Sequence, residues 1–131
     1  MLLAVDIGNT NITVGIFEDN LLRATWRIST DSSRTSDEYG LQLKHLLENE
    51  SRVIGHVTDV AICSVVPPLT PTFENLCQRY FNVSPLIIDA GSKTGIQVMY
   101  DSPRDVGTDR IVDATAAVHI YGGPAIIVDL G

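Results

Sequence analysis

The chain has 131 residues, enough for one domain of ordinary size, and 44% of them are hydrophobic against 19% charged. Nine basic against sixteen acidic residues give a net charge of −7. That balance excludes a general nucleic-acid or anionic-membrane surface, and the apolar runs are of strand length, far short of the ~20 residues of a membrane span.

The elements read as follows from the N-terminus. Leu2 to Ile7 is an apolar run that ends in Asp-Ile-Gly-Asn-Thr. Ile12, Val14 and Ile16 alternate with less apolar neighbours up to Phe17, so the two runs predict a β-hairpin turning through Gly8-Asn9-Thr10. Asp19-Asn20 is a second turn and Leu21 to Ser29 a third strand, which makes the start an antiparallel meander. Thr35-Ser-Asp-Glu38 fits a capping box, and Tyr39, Leu43, Leu46 and Leu47 follow helical spacing to about Glu50. Val57 to Val66 returns to strand character and stops at Pro67-Pro68. Thr70 as N-cap and Pro71 at the first helical position open a helix with Phe73, Leu76, Cys77 and Tyr80 on its apolar face. Pro85 to Ile88 is a short strand, and Gly91 to Asp105 is mainly loop. Val106 to Tyr121 is an Ala-rich helix stopped by Gly122-Gly123-Pro124, and Ala125 to Asp129 predicts a last strand.

This order, β-β-β-α-β-α-β-loop-α-β, is α/β with a mixed sheet. Cys63 and Cys77 sit in apolar patterns and read as small core residues. His45, His56 and His119 lack metal-ligand spacing. The N-terminus has no basic region of a signal peptide, so a cytoplasmic location is the expectation.

The chain echoes itself. Leu-Leu-Ala-Val-Asp-Ile-Gly at residues 2–8 returns as Ala-Ile-Ile-Val-Asp-Leu-Gly at residues 125–131. Asp6 thus closes a strand that otherwise looks buried, and a buried carboxylate needs a cation, a donor or water. Two copies of this pattern suggest a duplicated fold facing one ligand, with a first domain over 1–123 and the first strand of a second, truncated domain at 124–131. Two segments carry candidate chemistry. In the Asp6–Thr10 turn, Gly8 allows positive φ and close backbone approach, the amides of Asn9, Thr10 and Asn11 suit an anion, and Asp6 suits Mg²⁺ held through its water shell. No GxxxxGK[ST] or GxGxxG motif occurs. In Gly107-Thr-Asp-Arg110, Asp109 lies near a helix start, where it is either a cap or a general base for a substrate hydroxyl.

These pieces carry a resemblance to the type III pantothenate kinases. Asp6-Ile-Gly-Asn-Thr-Asn11, Ser64-Val-Val-Pro67, Gly107-Thr-Asp-Arg110, Asp113-Ala-Thr-Ala-Ala117 and Val128-Asp-Leu-Gly131 match in order and spacing. The resemblance implies an actin-like ATPase fold of the ribonuclease H-like, acetate-kinase type, built from two related domains. It implies transfer of the ATP γ-phosphate to pantothenate, the first step of coenzyme A synthesis. It makes Asp6, Ile7, Gly8, Asn9, Thr10, Asn11, Ile12 and Thr13 the ATP-phosphate segment. It places Tyr100, Gly107, Thr108, Asp109 and Arg110 against pantothenate, with Asp109 the proton acceptor. It assigns a monovalent cation, K⁺ or NH₄⁺, to Asp129, and a homodimer. Two rivals stand beside it: another small-molecule kinase or a phosphatase of the same superfamily, and a non-catalytic transcription accessory factor.

Overall fold

The computed structural model describes residues 1–49 and 57–129. His56, the Glu50 end of the expected first helix and the closing Leu130-Gly131 lie outside them. The opening meander forms as β1 (Leu2–Ile7), β2 (Asn11–Glu18) and β3 (Leu21–Ser29), all antiparallel. Helix α1 (Ser36–Asn49) follows, then β4 (Asp59–Ser64), which pairs with β1 in parallel. Helix α2 (Leu69–Leu76) leads into β5 (Leu86–Ile87), parallel to β4, and α3 (Thr108–Tyr121) comes last. The sheet order is β3-β2-β1-β4-β5. Among the described residues no helix is long and apolar enough to cross a membrane.

Strand alternation gives the sheet two unlike faces. Leu3, Val5 and Ile7 of β1, Ile12, Val14 and Ile16 of β2, and Val60 and Ile62 of β4 point to one face. There they pack with Tyr39, Leu43 and Leu47 of α1 and with Leu69, Phe73 and Leu76 of α2. Tyr39 and Phe73 meet with ring centroids 5.0 Å apart. Ala4, Asp6, Thr13, Gly15, Ala61 and Cys63 share the other face, where α3 begins. Cys77 joins the core, and burial pushes its thiol up to about 12. Cys63 is buried too, but on the face opposite that core, where its thiol donates to Thr108 Oγ1 at 3.4 Å.

The capping box is present in full. The Thr35 amide and hydroxyl both donate to Glu38 Oε2, at 2.8 and 2.9 Å, and the Glu38 amide donates to Thr35 Oγ1 at 3.3 Å. Other boundaries move for identifiable reasons. Strand β4 is shorter than Val57–Val66, because Ser64 Oγ bonds the amide and carbonyl of Val66 and turns the chain. Helix α2 is capped at Pro68, not Thr70; the Pro68 backbone is already helical, and the Leu69 amide reaches Val66 O. It continues as a wide π turn over Cys77–Phe81, ended by Asn82 in the left-handed region at φ 56°. Helix α3 starts at Thr108 after a 3₁₀ turn at Pro103–Asp105.

The strand expected at Ala125–Asp129 does not form. A strand is defined by a neighbour, and the five-stranded sheet β3-β2-β1-β4-β5 does not include these residues. Ile126 and Val128 are instead 94% and 76% exposed.

Gly40 sets the fit of α1 against the π turn. A Cβ there would lie 2.5 Å from the Tyr80 ring, which is held by its hydroxyl donating to Asp37 Oδ1 at 2.7 Å. Gly40→Ala gains about 1 kcal/mol of helix propensity but forces the ring off that bond. Overpacking of this kind costs about 1–3 kcal/mol, so a net loss of about 1 kcal/mol is expected in urea unfolding. An unchanged or raised midpoint would show that the ring yields freely.

Candidate active site

The site grows from the β1–β2 turn. The Gly8 amide donates to Asn11 O at 3.0 Å, Thr30 Oγ1 donates to Gly8 O at 2.7 Å, and the Thr30 amide donates to Thr10 O at 3.0 Å. The turn is therefore pinned to the end of β3. Of the two freedoms that Gly8 offers, it does not use positive φ; it uses the close backbone approach. It is needed for space, since a Cβ would sit 3.0 Å from Asn11 O. Ile7 and Ile12 point into the core, so within 6–13 they can offer a ligand only backbone.

Helix α3 supplies the opposite wall. Thr108 Oγ1 donates to Ser64 O at 3.0 Å, tying the helix start to the end of β4. Asp109 is one residue further along, and its Oδ1 accepts the Arg110 amide at 2.8 Å. A Cβ on Gly107 would collide with that same Oδ1, so glycine leaves room for this carboxylate orientation. Asp109 and Asp113 stand one turn apart on one helix face.

Between these walls lies a cleft of about 880 Å³. Asp6, Gly8, Asn9, Thr10, Asn11 and Thr13 line it from the hairpin. Asp109, Val112 and Asp113 line it from α3, and Arg27, Val65 and Asp129 complete its lining. Asp6 is open to this cleft rather than enclosed. Partial desolvation raises its pKa above the usual 3.8; the negative charges of Asp109, Asp113 and Asp129 raise it further, and a Cys63 hydrogen bond pulls the other way. Asp113 is raised by desolvation and then by Asp129 and Asp109. Burial, with Asp6 and Asp109 nearby, pushes the Cys63 thiol up to about 11, so it is no nucleophile at neutral pH.

Four acids facing one cleft repel each other unless a cation intervenes. Among the described residues no three His, Cys, Asp or Glu side chains are close enough to hold one metal ion together.

The remaining expected residues fall outside the cleft. Tyr100 is 63% exposed on the loop before α3, and Arg110 is exposed beside Asp109 without lining the cavity. The Thr108 hydroxyl is spent on Ser64. Asp113 opens one of the matching segments but was given no site role, and Arg27 lies in none of them. Asp113 was legible as the position four after Asp109; Arg27 was legible only through strand register, as the cross-strand partner of Thr13.

A β-β-β-α-β-α-β-α domain on this mixed sheet has the architecture of the actin-like ATPase fold. A solved structure described as a putative N-acetylglucosamine kinase from Porphyromonas gingivalis shares this fold, at TM-score 0.51 and 12% identity over 72% of the chain. The chain spans 37% of the length of that protein. The sequence model of type III pantothenate kinase matches residues 2–131. The chain belongs to the type III pantothenate kinase family, a family of phosphotransferases that use ATP with a divalent cation.

Proposed function

We propose that the chain is the nucleotide-binding domain of an enzyme that phosphorylates pantothenate to 4′-phosphopantothenate in the cytoplasm. The observation that carries this reading is the meeting of Asp6, on the β1–β2 hairpin, with Asp109, on α3, across one cleft. Family membership supports the choice of acceptor.

In this reading the turn amides at Asn9 and Thr10 receive ATP phosphate oxygens, and Asp6 orients the water shell of Mg²⁺. The divalent ion, when bound, neutralises charge shared by the β- and γ-phosphates. The acceptor hydroxyl oxygen bonds to the γ-phosphorus, the bond from that phosphorus to the β–γ bridging oxygen breaks, and ADP leaves. Asp109 takes the hydroxyl proton. Asp129, in the lining of the same cleft, holds K⁺ or NH₄⁺. Tyr100 and Arg110, exposed here, meet pantothenate at the interface of a homodimer. Residues 1–123 form the first domain and 124–131 open a second; the exposed Ile126 and Val128 support that division.

The test is ADP release by the full gene product with ATP, Mg²⁺ and K⁺, with and without pantothenate. Turnover that depends on pantothenate is expected. Because the fold neighbour is described as a sugar kinase, N-acetylglucosamine belongs in the substrate panel. Turnover with the sugar and none with pantothenate would overturn the acceptor assignment.

A further inference from the structure

The sheet register places one cation where the reading above leaves a vacancy in roles. Asp6 pairs with Thr13 across β1 and β2, and Thr13 pairs with Arg27 across β2 and β3. On the other side Asp6 pairs with Cys63 of β4. Directly opposed residues point to the same face, so Cys63, Asp6, Thr13 and Arg27 form one transverse row on the face away from the core. Two strand spacings put the Arg27 backbone about 10 Å from that of Asp6. Asp6, Thr13 and Arg27 all line the cleft, and Arg27 is the one cationic side chain among the described residues that line it.

Arg27 makes no ion pair or side-chain hydrogen bond with any described residue. Other arginines of the domain are committed: Arg23 to Glu18, Arg79 to Asp37, and Arg34 to Gln42 and the Tyr39 ring. A guanidinium that lines the same cleft as four carboxylates yet pairs with none of them keeps its donor set for a ligand entering between. Its planar fork fits two oxygens of one phosphate. The acids take the cation side of a metal–polyphosphate, and Arg27 faces the anion side.

Resting on the nucleotide-site reading above, we propose that Arg27 is a ligand-binding residue for the polyphosphate end of ATP, gripping non-bridging oxygens across the hairpin turn from Asp6. It discriminates nucleotides by phosphate count and makes no contact with the base or ribose.

Calorimetric titration of the full gene product with Mg-ATP, Mg-ADP and AMP tests this in the wild type, Arg27→Gln and Arg27→Lys. Arg27→Gln is expected to weaken Mg-ATP on the order of 10- to 100-fold and to leave AMP unchanged. Arg27→Lys, which keeps the charge and loses the fork, falls between. Arg27 is exposed on an edge strand, so folding is not at stake in these variants. Unchanged Mg-ATP affinity in Arg27→Gln overturns the assignment, and so does an equal loss for AMP. A wild-type protein that binds no nucleotide overturns the nucleotide-site reading itself, and the assignment of Arg27 with it.

Discussion

Asp109→Asn is expected to lower pantothenate-dependent ADP release about 10²- to 10⁴-fold, the usual worth of a positioned general base. Asparagine is the informative replacement. It retains Oδ1, so the bond from the Arg110 amide and the start of α3 survive. It keeps the shape that the missing Cβ of Gly107 accommodates. What it loses is the capacity to take a proton. Removing this charge also relieves Asp6, whose pKa Asp109 helps to raise. Mg-ATP affinity should therefore hold or improve while turnover collapses. Steady-state kinetics and nucleotide titration on one preparation read both quantities. Turnover within threefold of wild type would remove Asp109 from the role of base. A parallel loss of Mg-ATP binding would recast it as part of the nucleotide site.

Most of the sheet could be read directly, because its signals are local. The period-2 pattern of Leu3–Ile7 and Ile12–Ile16 and the turn between them fix the hairpin. The Thr35–Glu38 pair fixes the start of α1. Boundaries failed where backbone detail decides. Pro68 begins α2 ahead of the better-looking cap at Thr70, and the π turn after Leu76 widens the helix to seat Tyr80 over Gly40. Ala125–Asp129 has the composition of a buried strand, yet composition cannot supply the neighbouring strand that makes one.

The cleft was half legible. Asp6 and Asp109 stood out as acids in unusual settings, one closing an apolar strand and one opening a helix. The step that sequence could not take was pairing β1 with β4 in parallel, which carries Thr108 and Asp109 to the hairpin through the Ser64 carbonyl. Arg27 enters only through the pairing of β2 with β3, whereas Asp113 follows from Asp109 by helical spacing on α3. Tyr100 and Arg110 show the reverse case: the family resemblance names them, but neither lines the cleft.

Asp6→Asn separates stability from function most sharply. The Asp6 pKa is raised in the folded protein above its ordinary 3.8, so the fold favours the protonated carboxyl. Stability from this group is fully present below pH 3.8, where folded and unfolded chains both carry the proton, and is lost as pH rises through the raised folded value. At pH 8 the ligand-free protein therefore bears a penalty that asparagine lacks. The site is open to water, which screens the repulsion, so the expected rise in Tm for the variant at pH 8 is only about 1–4 °C. It should shrink toward zero near pH 3.5, and added salt should narrow it. Mg-ATP must act in the opposite sense. At 100 times its Kd a ligand stabilises the wild type by about 2.7 kcal/mol, and the variant, without the carboxylate that orients the hydrated cation, should lose most of that shift. Thermal melts across pH 3.5–8, with and without Mg-ATP, read both effects. A variant less stable than wild type at pH 8 without ligand would mean that hydrogen bonding to the carboxylate outweighs its desolvation and the like charges around it, and that the acidic cleft is not held under strain for a cation.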